Sequence, residues 1–263
     1  MIDLSSERRA SSLAARLSGL TPARAGLGRT GASLTTEEVL RFQLAHAEAR
    51  DAVHVPLDAE ALAAAITALG CNVVRVETPA TQRDLYLRRP DLGRRLEAQS
   101  AQRLDKLRDV FDVAIVVADG LSSRAVSNNA PPLLSRLIPK FADAGLRLAP
   151  VVIAEGARVA LGDEIAERLG ARLVIVLIGE RPGLSSPDSL GAYLTYGPRP
   201  GLTDAERNCV SNIRAGGIDV EAATSKITWL VTKALAAGMS GVRLKDDSDT
   251  GSLALSARRC HAN

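Results

Sequence analysis

Three nearly continuous runs of aliphatic residues constrain the fold of this chain more than any other feature of its sequence. The runs are DVAIVVADG at 112–120, LRLAPVVIAEG at 146–156 and ARLVIVLIGERPG at 171–183. Continuous rather than alternating Val and Ile residues are typical of strands covered on both faces, as in a parallel sheet. Helical patterns, PPLLSRLIPKFADAG and GDEIAERLG, separate the runs. The sequence therefore predicts an α/β fold, with a Rossmann-like, mostly parallel sheet flanked by helices and joined by right-handed crossovers.

The residues before the first run have a different pattern and predict a helical N-terminal extension. We expect a mainly helical N-terminal region at 1–110, a Rossmann-like domain at 111–245 and a tail at 246–263. A short strand is predicted within the N-terminal region, at 71–79. The other predicted helices lie at 34–53, 58–70, 94–111 and 220–241.

Two of these helices carry apolar residues at helical spacing, which predicts the side that each helix buries. The first helix follows the capping residue Thr35. Its apolar stripe contains Leu40, Leu44 and Ala47. In the helix predicted at 94–111, the buried side is expected to contain Leu96, Leu104, Leu107 and Val110.

Composition and charge exclude several classes of protein. The 263 residues include 33 basic and 30 acidic side chains that are interleaved along the chain, and only 3% are aromatic. Nucleic-acid binding needs a basic stripe with stacking aromatics, so we expect no nucleic-acid partner. The sequence has neither the roughly 18 consecutive apolar residues of a membrane helix nor a signal-peptide core. Three cysteines without a C-x-x-C pair, Cys71, Cys209 and Cys260, favour a reducing cytoplasm.

Each aliphatic run ends in an acidic residue next to glycine, namely Asp119, Glu155 and Glu180. In open parallel sheets, ligands bind in the crevice outside the carboxyl ends of the strands. We therefore expect these three residues to border one ligand site, with glycines that let the main chain approach the ligand. Acidic residues at strand ends also solvate the sheet edge and cap helices, and for Asp119 and Glu155 that alternative stays open.

Sequence motifs supply no catalytic machinery. A G-x-G-x-x-G pattern occurs at Gly26, Gly28 and Gly31, but the strand that must precede a dinucleotide-binding loop is absent from the pattern before it. Cys209 has no neighbouring base, which disfavours a catalytic thiol. The three histidines, His46, His54 and His261, are scattered rather than clustered as metal ligands. We expect no catalytic residue and no metal-ligating residue in this chain.

Four segments, in this order, resemble the small subunit of ethanolamine ammonia-lyase. They are DLYLRRPDLGRRL, VADGLSS, IGERPGLSSPDSLGAYLTYGPRPG and ERNCVSNIRAGGIDVEAA, and the resemblance runs from about Thr21 to about Gly241. It implies a lyase that converts ethanolamine to acetaldehyde and ammonia by a radical mechanism with adenosylcobalamin. The implied partner is the large subunit, a TIM barrel that holds the substrate, and the small subunit clamps the cofactor against it.

The resemblance also implies cofactor-binding residues in the Rossmann-like domain. By motif they are Val159, Glu180 and Cys209, which contact the cobalamin largely through main-chain atoms. The implied location is the cytoplasm, in some hosts inside a bacterial microcompartment. Two alternatives stay open at this point: a stand-alone Rossmann-like nucleotide-binding protein that uses the N-terminal glycines, and a structural adaptor in a protein shell.

Overall fold

The computed structural model describes residues 26–80 and 82–248, together with residues 16, 20, 21, 23 and 24. The helices in this part of the chain are α1 Thr36–His54, α2 Ala59–Thr67, α3 Arg83–Arg88, α4 Ala98–Asp105, α5 Ser123–Asp143, α6 Leu161–Leu169 and α7 Val220–Ala237. The strands are β1 Arg29–Thr30, β2 Ser33–Leu34, β3 Val73–Glu77, β4 Phe111–Ala118, β5 Val151–Glu155, β6 Ala171–Gly179, β7 Leu190–Tyr196 and β8 Arg207–Ile213.

A six-stranded sheet with the order β3-β5-β4-β6-β7-β8 organises the fold. The first four strands in this order are parallel, and β7 and β8 add antiparallel pairs at one edge. In the centre, Val116 lies opposite Val152 of β5 and Val176 of β6. The predicted α/β fold is confirmed, with the sequence runs forming the parallel strands. The strand predicted at 71–79 is also confirmed, and it forms the edge of this same sheet.

Helices cover both faces of the sheet, which explains why the central strands are apolar throughout. Side chains alternate between the two faces along a strand. From β4, Ile115 joins a core formed with α2, α5 and α7, whereas Val116 joins a core with α4 and α6. All six residues from Val113 to Ala118 are buried. The continuous pattern is thus the consequence of a three-layer arrangement.

The helix predicted at 94–111 is shorter in the structure. It forms α4 only over Ala98–Asp105, and Leu104 is fully buried as predicted. The predicted burial of Leu107 and Val110 is wrong, because these side chains are 38% and 67% exposed. The helical spacing does not apply to them, since the chain leaves the helix at Lys106 to enter β4.

The predicted buried stripe of the first helix is also wrong. In α1, Leu40 is 58% exposed and Leu44 is 61% exposed, while Ala52 is the buried residue of the helix. The helix itself begins as predicted, with the Thr35 hydroxyl accepting the Glu38 backbone N–H at 3.4 Å. Spacing identifies an apolar face, but the described part of the chain does not cover it.

Helix α5 begins earlier than the predicted PPLLSRLIPKFADAG segment. The Ser122 hydroxyl accepts the Ala125 backbone N–H at 3.2 Å, so the helix begins directly after the loop that follows β4. It then continues through three prolines, Pro131, Pro132 and Pro139. The predicted segment began only at Pro131. The earlier start places the α5 N-terminus at the strand-end edge.

The two ends of the chain lie largely outside the described residues. Of the tail predicted at 246–263, residues 249–263 are outside, and so are residues 1–15 of the N-terminal region. The proposed boundaries at 110 and 245 stay a prediction. Within the described residues, no helix has both the length and the apolar character that crossing a membrane would require.

Candidate ligand crevice at the sheet edge

The carboxyl ends of β4, β5 and β6 meet at one edge of the sheet, where two pockets adjoin. The first pocket has a volume of about 320 Å³ and is lined by Asp119 and Glu155, among others. The second has a volume of about 410 Å³ and is lined by Val159 and Glu180. Tyr86 lines both pockets. The three acidic strand-end residues therefore border a divided crevice rather than a single cavity.

Tyr86 of α3 is the wall between the two pockets, and sequence reasoning missed it. Its side chain is buried, and its hydroxyl donates to the Ala157 carbonyl at 3.1 Å. The guanidinium carbons of Arg158 and Arg83 lie 4.0 and 4.8 Å from the ring centroid, which are cation–π distances. Burial raises the pKa of the phenol, so it stays protonated. The signal available was one tyrosine within an arginine-rich turn of a chain with few aromatics.

Asp119 joins the loop after β4 to the loop after β5. Its carboxylate accepts the backbone N–H groups of Gly120, Gly156 and Ala157 at 2.9, 3.1 and 3.2 Å. Arg83 lies 3.7 Å away from the same carboxylate. Burial raises the pKa of Asp119, while these donors and the arginine oppose the rise. The carboxylate therefore has a structural role at the floor of the crevice.

Two glycines let the strand-end loops pack against one another. A Cβ at Gly179 would lie 2.1 Å from the Ser122 carbonyl oxygen, and one at Gly120 would lie 2.3 Å from the Gly179 carbonyl oxygen. Gly120 also has a φ of +58°, which favours glycine. The backbone N–H of Leu121 donates to Gly179 at 2.8 Å. Any side chain here would separate β4 from β6 at the mouth of the second pocket.

The predicted residue Val159 lies between the turn after β5 and the start of α6. It lines the second pocket, and its side chain also packs against the core formed with α4 and α6. The neighbouring Arg158 donates to the Tyr86 carbonyl at 3.0 Å. Its Nε atom is buried and has no hydrogen-bond partner within the described chain. Because Arg158 lines the second pocket, this unsatisfied donor belongs to a residue of the pocket wall.

The predicted residue Glu180 follows β6 and lines the second pocket. Its carboxylate accepts from the Ser189 hydroxyl at 2.5 Å, from the Ser211 hydroxyl, and from the Asn212 backbone N–H at 3.1 Å. Its own backbone N–H donates to the Ser189 carbonyl at 2.9 Å. The side chain thus joins the end of β6 to β8 and is occupied by contacts within the chain.

The predicted residue Cys209 lies on β8, opposite Tyr193 of β7. Tyr193 lines the second pocket, whereas Cys209 is an exposed residue that does not line it, although its thiol contacts Tyr193. Desolvation raises the pKa of the Cys209 thiol to about 11, with a smaller opposing effect from the Tyr193 hydrogen bond. The thiol is protonated at neutral pH and presents a neutral surface. Tyr193 is a second residue that sequence reasoning missed, because β7 and β8 were not predicted.

The N-terminal glycine pattern lies away from this crevice. Gly31 has a φ of +63° and forms, with Ala32, the two-residue turn of the small β1–β2 hairpin. No strand precedes Gly26 in the described part of the chain. The described residues also contain no group of three His, Cys, Asp or Glu side chains placed to hold a metal ion.

The comparison with protein families gives a match over most of the chain. Residues 11–245 match the family described as "Ethanolamine ammonia-lyase light chain (EutC)". The chain belongs to this family. It is therefore a member of a family of lyase components, which confirms the resemblance that the sequence segments carried.

Individual relatives agree with this assignment. The ethanolamine ammonia-lyase small subunit of Rhodopseudomonas palustris is 56% identical over 230 residues, covering 87% of this chain and 88% of the relative. That of Bradyrhizobium diazoefficiens is 53% identical over 234 residues, covering 88% and 90%. That of Ralstonia nicotianae is 51% identical over 234 residues, covering 88% and 87%.

Proposed function

We propose that this light-chain family member is the small subunit of an adenosylcobalamin-dependent ethanolamine ammonia-lyase and holds the cofactor against a large subunit. The observation that carries the proposal is the second pocket, which combines Val159 and Glu180 with Tyr193, the residue that contacts Cys209. Val159 and Glu180 come from separate parts of the chain and line this one cavity, whereas Cys209 adjoins it only through its contact with Tyr193.

The chemistry of the second pocket fits a large, amide-rich cofactor. The Glu180 carboxylate is occupied by contacts within the chain, and the Cys209 thiol is neutral, so neither presents a free charge. Arg158 Nε is a buried donor without a partner in the described chain, and amide or phosphate oxygens are suitable acceptors for it. The adjoining first pocket extends the crevice beyond Tyr86. Adenosylcobalamin has both amide side chains and a phosphate group.

In this proposal the residues of the chain bind and orient the cofactor, and they take no part as reacting groups. The bound cofactor would supply radical chemistry for the conversion of ethanolamine to acetaldehyde and ammonia. Val159 and the Tyr193–Cys209 contact shape the pocket, while the Arg158 donor fixes orientation. The pocket lining combines the main chain at Gly120 and Gly179 with the side chains of Val159, Tyr193 and Arg158, so both kinds of atom would make the contacts.

We infer that the large subunit covers the exposed face of α1. Val39, Leu40, Phe42 and Leu44 are between 39% and 61% exposed, although they are apolar and lie within one helix. The C-terminal end of α1 reaches the crevice, since His54 lines the first pocket. Exposed apolar surface indicates an interaction surface. A partner that covers α1 along its whole length would reach the crevice at the His54 end.

We place the protein in the cytoplasm, and packaging in a microcompartment stays open. The deciding experiment measures acetaldehyde release from ethanolamine and adenosylcobalamin by the cognate large subunit, with and without this chain. We expect activity only when both chains are present. Absence of activity and of cofactor binding in a complex of two folded chains would overturn the proposal. Nucleotide binding by the chain alone would instead favour the stand-alone alternative.

A further inference from the structure

We propose that the buried ion pair between Asp163 and Arg207 is a positioning pair for the second pocket. It fixes the Val159 segment relative to β8, which carries Cys209. This inference rests on the proposed function, because the pocket is taken as a cofactor site. Neither residue lines the pocket, so the pair acts through the residues that do.

The pair has a two-armed geometry that leaves little freedom. Arg207 Nη1 donates to Asp163 Oδ1, and Nη2 donates to Asp163 Oδ2, each at 2.8 Å. The arginine also donates to the Thr195 hydroxyl and to the Leu202 carbonyl, each at 3.0 Å. The two side chains are 3% and 1% exposed. A bidentate arginine–carboxylate contact fixes orientation as well as distance.

Each partner lies close in sequence to a pocket segment. Asp163 is in the first turn of α6, four residues after Val159. Arg207 begins β8 two residues before Cys209, so both side chains point to the same face of the sheet. The residues opposite them on β7 are Thr195 and Tyr193. The ion pair therefore connects the α6 side of the pocket to its β7–β8 side.

The energetics favour a geometric rather than a stabilising role. Burying two charges costs free energy that their attraction only partly offsets, and apolar replacements of buried pairs are often neutral or stabilising. A matched apolar pair can therefore preserve the fold while releasing the fixed spacing. This separates positioning from stability, since stability and cofactor affinity are measured independently.

The main test replaces both residues together, as Asp163→Leu with Arg207→Met, in the assembled complex with the large subunit. Thermal unfolding, spectroscopic titration with adenosylcobalamin, and kcat at saturating cofactor are measured on the same samples. We expect the variant to fold, to bind the cofactor about tenfold more weakly, and to keep kcat within about twofold. An unchanged cofactor Kd in the folded variant would overturn the inference.

A matched control uses a more exposed ion pair that also joins α6 to another element. Arg168 of α6 contacts Asp105 of α4 at 3.0 Å, with side chains 32% and 52% exposed. The control variant, Asp105→Leu with Arg168→Met, should change the cofactor Kd by less than about twofold. An equally large loss of affinity in the control would also overturn the inference, because it would show a general effect of losing a pair on α6.

A second variant keeps the inference testable if the apolar pair does not fold. Arg207→Lys keeps the charge and loses the two-armed contact. It should weaken cofactor binding by about fivefold in a folded complex. A cofactor affinity equal to that of the complex without substitutions would contradict the positioning role. If the complex without substitutions binds no cofactor, both the proposed function and this inference are overturned. If that complex binds cofactor and the variants bind it equally well, only the inference is overturned.

Discussion

Strand β4 and helix α1 both contain several aliphatic residues, but those of β4 are buried whereas several of those of α1 are exposed. Every residue of β4 from Val113 to Ala118 is buried, and helices cover both of its faces. Helix α1 buries Ala52, while Leu40 and Leu44 are mostly exposed. A continuous aliphatic strand needs cover on two sides, which one folded chain supplies. The exposed apolar side chains of α1 lack such cover in the described chain, and a partner protein can supply it.

The strand-end edge of the sheet should be the least tolerant part of the molecule. In Gly179→Val, the new side chain meets the Ser122 carbonyl. We therefore expect the free energy of unfolding to fall by about 4 kcal/mol and cofactor binding to be lost. The measurements are chemical unfolding and cofactor titration.

The control for this substitution is Gly197→Val. Gly197 also adjoins a strand, but its Cβ would meet no atom within 4 Å. Only its φ of +58° disfavours valine, at a cost of about 1–2 kcal/mol. Similar losses in the two variants would show that backbone conformation, and not crowding at the edge, limits this region.

Truncating one aliphatic side chain in each region tests the comparison directly. Ile115→Ala in β4 should lower the free energy of unfolding by about 2–5 kcal/mol, because the side chain is fully buried. Leu40→Ala in α1 should change the stability of the isolated chain by less than about 0.5 kcal/mol.

The same α1 variant should affect assembly. If the large subunit covers α1, Leu40→Ala weakens the complex by about 1 kcal/mol, which sedimentation or titration calorimetry with the large subunit can measure. Unchanged assembly together with unchanged stability would show that this face of α1 is free surface.

A smaller effect is expected for Glu180→Gln. The carboxylate accepts three hydrogen bonds from Ser189, Ser211 and Asn212, and an amide nitrogen cannot accept any of them. We expect a loss of about 1–2 kcal/mol in stability, measured by chemical unfolding. Cofactor affinity in the folded complex should change by less than about threefold. A tenfold loss of affinity with normal stability would instead indicate direct contact through the carboxylate.

The smallest effect concerns the protonation of Cys209. Because desolvation raises the thiol pKa to about 11, the thiolate fraction keeps increasing with pH up to that value. The alkylation rate of Cys209 in the folded chain should still rise above pH 9, as followed by mass spectrometry of the labelled peptide. A plateau near the ordinary thiol pKa of about 8.5 would contradict this expectation. Because the thiol stays protonated between pH 6 and about pH 9, its titration should not change the cofactor affinity in this range.

Several parts of the fold and site were predictable because their signals are local. The aliphatic runs predicted β4, β5 and β6, and the acidic-glycine ends predicted the edge where the pockets lie. The GERPG and CVSNI segments indicated Glu180 and Cys209 as cofactor contacts through the family resemblance, and Glu180 was also expected at the site from its place at the end of an aliphatic run. The antiparallel strands β7 and β8 were missed for different reasons. Strand β8 lies at the edge and has a mixed burial pattern, whereas β7 is mostly buried but contains a glycine and an alanine, which are uncommon in strands.

The sequence by itself determined the layered architecture, because period and strand length depend on neighbouring residues. Only the tertiary structure decided which side chains meet at the crevice. Tyr86 contacts Ala157 across 71 positions of the chain, and Arg207 contacts Asp163 across 44 positions. Such contacts depend on how strands order themselves in a sheet, a property that no short stretch of sequence carries. The same reason explains α1: its apolar face is visible in the sequence, but what covers it depends on packing beyond the helix.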